Sequence, residues 1–141
     1  AGLERMGLEM DYARLDAERF VPSANQGTII VVARKGTAAE QHSRALDHAP
    51  TRTETMIERR ILETVGGGCV VPMAVHACAS GGSARVLAEI LSLDGERFVR
   101  LDEKISLNDR PLDRAEDMGQ RLMNMGGREL VDEAVKKFGA R

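Results

Sequence analysis

Hydrophobic spacing divides the chain into an irregular front and a regularly patterned rear. Residues 1–8 read as the end of a helix closing at Gly7, and residues 12–21 as a mixed extended stretch. Pro22 to Gly27 clusters Pro, Ser, Asn and Gly, the chemistry of a loop. Thr28 to Ala33 is an unbroken run with four β-branched residues before Val32 and Ala33 close it, which predicts a strand buried on both faces, as in a parallel or mixed sheet. Residues 37–47 look helical, and His48-Ala49-Pro50 is a candidate domain boundary. Thr51 and Glu54 have the spacing of a capping box, and Met56, Ile57, Ile61, Leu62 and Val65 give the following helix one apolar face. Gly66-Gly67-Gly68 stops it.

Pro72–Ala79 alternates as a strand. Ala84–Leu93 and Glu96–Lys104 predict a hairpin around Asp94-Gly95, a favoured two-residue turn. Asp113 with Glu116 suggests a cap for a helix striped by Ala115, Met118, Leu122 and Met125. Gly126-Gly127 breaks it before a last amphipathic helix through Leu130, Val131, Ala134, Val135 and Phe138. Residues 49–141 therefore read as an α+β unit of one helix, three strands and two helices: a three-stranded, mainly antiparallel sheet with helices on one face.

Composition narrows the function classes. The chain has 141 residues, 43% hydrophobic and 30% charged, a net charge of -2 and 3% aromatics. That is globular composition without the basic excess or stacking platforms of a nucleic-acid binder. No apolar run approaches the roughly 20 residues of a membrane span. The N-terminus has no apolar signal region and opens in what reads as mid-helix, which suggests a start inside a longer polypeptide. Two cysteines, Cys69 and Cys78, are too few for a disulfide scaffold, and a reducing, cytoplasmic setting fits them.

Four groups of residues carry candidate chemistry. In Val65-Gly66-Gly67-Gly68-Cys69-Val70-Val71-Pro72, a glycine hinge presents a thiol at a helix-to-strand junction, where backbone freedom leaves room for a bulky group; the plain reading is a small loop residue. Val21 to Thr28 enters the β-branched run through a loop holding Asn25 and Gln26, or is only a turn. Ile57-Glu58-Arg59-Arg60 is a charged stretch of the capped helix, which on its own reads as a solvated face. Cys69, His76 and Cys78 form a sparse metal or redox candidate; His76 and Cys78 share a strand face, but zinc would want four ligands.

Several of these motifs, in this order, resemble the porphobilinogen deaminase (hydroxymethylbilane synthase) family. Pro22-Ser23-Ala24-Asn25-Gln26-Gly27-Thr28 is similar to the family's Pro-Ala-Val-Gly-Gln-Gly-Ala. Ile57-Glu58-Arg59 followed by Gly66-Gly67-Gly68-Cys69-Val70-Val71-Pro72 resembles its Ala-Glu-Arg helix and Glu-Gly-Gly-Cys-x-x-Pro. Ala1-Gly2-Leu3-Glu4-Arg5-Met6-Gly7 resembles Ala-Gly-Leu-x-Arg-Leu-Gly, and Asp113 to Gly119 and Met125 to Leu130 resemble the family's C-terminal pattern. Asn25, Thr28 and Gly66 depart from the family's usual glycine, alanine and acidic residue.

The resemblance implies a three-domain enzyme of which this chain is the C-terminal part. Residues 1–20 would end the second of two periplasmic-binding-protein-like domains, 21–47 would return to the first, and 48–141 would be the cofactor-bearing third. It implies head-to-tail joining of four porphobilinogen molecules into hydroxymethylbilane with release of ammonia, on a dipyrromethane primer bound covalently to Cys69. Gln26, Arg59, Gly67 and Gly68 would serve that cofactor and Arg5 the substrate, because guanidinium groups match pyrrole carboxylates. The assisting aspartate would lie in the missing N-terminal part, so the chain alone would be inactive, and the complete protein would be a monomer. A non-catalytic ligand-binding or interaction domain of the same fold is the alternative, with the Cys/His metal or redox domain behind it.

Overall fold

The computed structural model describes residues 2–66 and 68–139. The helices are α1 (Gly2–Arg5), α2 (Ala38–Arg44), α3 (Ala49–Val65), α4 (Pro111–Leu122) and α5 (Arg128–Phe138), and the strands β1 (Met73–Ser80), β2 (Ser83–Leu91) and β3 (Phe98–Ser106). Among the described residues the strands form one antiparallel sheet in the order β1-β2-β3. This is the predicted α+β unit, with each helix and strand of residues 49–138 in its expected place.

Strand alternation decides the layering. Val75 and Ala77 of β1, Ala84, Val86, Ala88 and Ile90 of β2, and Leu101 and Ile105 of β3 share one face and join a single core with Ile57, Ile61 and Val65 of α3, Ala115, Met118 and Leu122 of α4, and Leu130, Val131 and Ala134 of α5. The other face carries Ala74, His76 and Cys78, paired across to Glu89, Leu87 and Arg85 and then to Arg100, Asp102 and Lys104. The chain around Glu18–Pro22 crosses this second face. Val21 is buried with Ala74 and Leu87, Arg85 pairs with both Glu18 and Asp102, Arg100 donates to the Glu18 carbonyl, and Val75 N–H donates to Pro22 O at 3.0 Å.

Four local expectations need correction. The cap of α3 is His48, whose Nδ1 accepts from Thr51 N–H at 3.4 Å, with Pro50 in the first turn; Glu54 reaches instead to Ala79 N–H at 2.8 Å. No side chain caps α4: Arg110 precedes it in left-handed backbone, and Pro111 opens it with a pre-set φ. The tight two-residue turn is Gly81-Gly82, both at positive φ between paired Ser80 and Ser83, whereas Asp94-Gly95 lies within a wider loop closed by Ser92 N–H to Arg97 O at 2.8 Å. Finally, Thr28 to Ala33 is not a strand. Ile29 and Val32 are each 89% exposed, and no sheet neighbour for the run exists among the described residues. A β-branched run needs a partner strand to become sheet, and the described elements offer none.

Candidate active site

Cys69 sits in a single 3-10 turn, Gly68–Val70, between the end of α3 and the start of β1. Gly66 closes α3 with φ +74°, its N–H donating to Leu62 O at 3.0 Å, and Gly68 follows at φ +65°. A Cβ added at either glycine would meet no atom within 4 Å. The backbone leading into the exposed thiol is thus uncrowded, which leaves room for a bulky covalent group. Gly67 lies outside the described residues.

Arg59 is exposed on α3, six residues before the helix ends at Val65, and its Nε pairs with Glu63 at 3.0 Å. Side chains three and four apart on a helix pair this way without immobilising either group strongly. Gln26 is exposed in the loop before Thr28, and its backbone N–H closes a turn onto Ser23 O at 3.1 Å. Arg5 is exposed at the end of α1, and no hydrogen bond or ion pair among the described residues joins it to residues 49–138. The structure therefore brings the Gln26 loop, α3 and the Cys69 turn onto one unit and leaves Arg5 outside it.

The residue that joins them is Glu58, which sequence pattern alone groups with the solvated charges of α3. It is only 7% exposed. Its Oε2 accepts from Asn25 N–H at 2.6 Å and its Oε1 from Ala77 N–H at 2.8 Å, with His76 Nδ1 at 3.8 Å. Turned with its nitrogen inward, the Asn25 amide donates to Thr55 O at 3.2 Å and to Glu58 Oε2 at 3.3 Å. Burial pushes the Glu58 carboxyl above the usual carboxylate value, against the opposing pull of the Ala77 and Asn25 N–H groups and of His76. The signal for it was positional: Glu58 follows Ile57 directly and precedes Ile61 by three, so it borders the buried stripe.

Cys78 lies on a strand, where a packed thiol would be expected, but it is exposed on the sheet face away from the helices. There it lines a cavity of about 540 Å³ with His76, Arg85, Lys104 and Glu18. Exposure alone does not separate Cys78 from Cys69; what differs is the glycine run before Cys69 and the motif around it. Among the described residues no three His, Cys, Asp or Glu side chains gather closely enough to hold a metal ion, so Cys69, His76 and Cys78 do not converge.

Residues 52–125 match the family description "Porphobilinogen deaminase, C-terminal domain". A probable porphobilinogen deaminase of Methanococcoides burtonii is 45% identical over 137 residues, 96% of this chain and 44% of the relative. A porphobilinogen deaminase of Pelobacter propionicus is 34% identical over 143 residues, 97% of this chain and 44% of the relative. A probable porphobilinogen deaminase of Archaeoglobus fulgidus is 37% identical over 124 residues, 86% of this chain and 40% of the relative. The chain thus spans less than half the length of these relatives. No described helix is long and apolar enough to cross a membrane.

Proposed function

The chain belongs to the porphobilinogen deaminase family, and on that premise we propose that it is the cofactor-bearing portion of an enzyme that joins four porphobilinogen molecules into hydroxymethylbilane, in the cytoplasm, with release of ammonia. The observation that carries this reading is Cys69: an exposed thiol on a turn that follows two positive-φ glycines, Gly66 and Gly68, inside the segment that matches the family. Bound there as a thioether, dipyrromethane would supply the primer pyrroles onto which the chain is built.

The residues present fit that group. Gly66 and Gly68 leave room beside the sulfur. Thiolate is the reactive form of cysteine, and an exposed position lets a reactant reach it. Arg59 is solvent-accessible on the helix leading to the turn, and exchanging its weak Glu63 partner for a pyrrole carboxylate costs little. Gln26 offers an amide that both donates and accepts, suited to pyrrole N–H or carboxylate. In the complete protein Arg5 is a second cation for substrate carboxylates, and the aspartate assisting the chemistry lies in the portion preceding this chain. Residues 1–20 and 21–47 belong to the two preceding domains, and 48–141 form the third.

In the full-length protein made with porphobilinogen present, peptide mass spectrometry is expected to find the dipyrromethane mass on the Cys69 peptide alone. Cys69→Ser abolishes turnover, and Cys78→Ala retains it. An adduct on Cys78, or turnover without the Cys69 sulfur, would overturn the assignment.

A further inference from the structure

Glu58 reaches three separate stretches of chain. It stands on α3, the stem entering the Cys69 turn; its Oε1 accepts from Ala77 on β1, the stem leaving it; and its Oε2 accepts from Asn25, next to Gln26. The outer edge of β1 is otherwise held by Pro22 O at Val75 and by Glu54 at Ala79. Glu58 is the buried member of this row, and its side chain bonds both the strand, at Ala77, and the Gln26 loop, at Asn25. An ionised carboxylate accepting two backbone N–H groups away from water makes charge-assisted bonds stronger than neutral ones. Asn25, at φ +60°, turns the backbone so that its N–H points at this oxygen.

We propose that Glu58 is a positioning residue whose carboxylate clamps both stems of the Cys69 turn and the Gln26 loop into one frame for the dipyrromethane group. The proposal rests on the reading of Cys69 as the attachment point, and the test separates the two. In the 141-residue chain, Glu58→Gln offers one carbonyl oxygen where the carboxylate offered two acceptors. Amide exchange at Asn25, Ala77 or both is expected to quicken roughly tenfold or more, the size of losing a hydrogen bond to a charged acceptor, while Ala79 on Glu54 is unchanged. Unchanged exchange at both amides overturns the clamp. Should the variant not fold, the unaltered chain answers instead. His76 and Glu54 are the other titratable groups facing Glu58, and the Asn25 and Ala77 amide shifts are expected to follow the titration of the Glu58 carboxyl; shifts that follow His76 or Glu54 overturn it.

The second arm uses the longer protein and reads the rate at which dipyrromethane mass appears on the Cys69 peptide. Glu58→Gln is expected to slow this roughly tenfold, whereas Ile61→Val, which loosens the same core by a comparable amount, leaves it unchanged. Loading at the normal rate in Glu58→Gln overturns the role of Glu58 alone. No mass on Cys69 in the unaltered protein overturns the attachment reading and the positioning role with it, whatever the exchange measurements give.

Discussion

Glu58 and Arg59 are neighbours on α3, yet one is buried against two backbone amides and the other lies in solvent beside Glu63. From the sequence both were charges on a helix, because helical periodicity assigns faces to residues in blocks and cannot separate a boundary position from the next one. Cys69 and Gln26 were legible, since glycines and a turn cluster mark them directly. Arg59→Leu removes an exposed pair, so unfolding free energy should move by no more than about 0.5 kcal/mol. If Arg59 meets pyrrole carboxylates, the variant enzyme should instead accumulate short pyrrole chains on Cys69, visible by intact mass; normal elongation would make Arg59 only a solvated charge. Glu58 also carries a pH signature. Its folded-state pKa is raised above the ordinary 4.5, chiefly by burial, so the folded chain holds this proton more tightly than the unfolded one. Its stabilising contribution is therefore complete below the unfolded value and is lost as pH rises through the folded value. Urea unfolding of the chain and of Glu58→Gln between about pH 4 and about pH 7 should show the unaltered chain losing stability relative to the variant as pH increases; a difference that grows in the other direction would mean that the pull of the Asn25 and Ala77 N–H donors on the clamping carboxylate outweighs the cost of its burial.

At the scale of elements, the helices and strands of residues 49–138 follow from their periods, because each buries one face on a shared core, although Met56, Met125, Val135 and Phe138 of the predicted apolar faces stay exposed and α4 ends before Met125. Caps and turns were less legible. They depend on single backbone dihedrals, as with Arg110 in left-handed conformation before Pro111, and several residues satisfy the same local rule. Gly119 was invisible to pattern reasoning for a different reason: its role is an approach between helices. A Cβ there would lie 2.7 Å from Thr64 Cβ and 2.8 Å from its Cγ2, and Thr64 is tied through Oγ1 to Arg60 O at 2.8 Å. Alanine is the better helix former by up to about 1 kcal/mol, but overpacking the α3–α4 contact should outweigh that, for a net loss of about 1–2 kcal/mol in urea unfolding. A gain in stability on Gly119→Ala would show that α4 can move away from α3 without cost.

The whole molecule poses the question of Thr28 to Ala33, where the sequence predicted a strand buried on both faces and the structure holds an exposed run. Ile29, Ile30, Val31 and Val32 are 89%, 68%, 52% and 89% exposed, and no backbone hydrogen bond of Ile29 to Ala33 occurs among the described residues. The sequence signal and the structure conflict only if the run is meant to pair within this chain. The sheet of residues 73–106 does not take it in this structure: one face is covered by helices, and the outer edge of β1, the strand beside the Gln26 loop, is occupied by Pro22, Glu54 and Glu58. The relatives are more than twice as long, and in the proposed domain scheme residues 21–47 return to the first domain; in that scheme the partner strands would lie in the portion preceding this chain. In the longer protein, amide exchange at Ile29 to Ala33 should slow at least about a hundredfold relative to the 141-residue chain, as expected when a free strand joins a domain core. Ile30→Asp should leave the unfolding of the 141-residue chain within about 0.5 kcal/mol, since the side chain meets solvent there. In the longer protein the same substitution should cost several kcal/mol, because it buries an unpaired carboxylate. Equal exchange in both forms, or an Ile30→Asp variant of the longer protein as stable as its parent, would mean the run is a surface linker and the domain scheme for residues 21–47 is wrong.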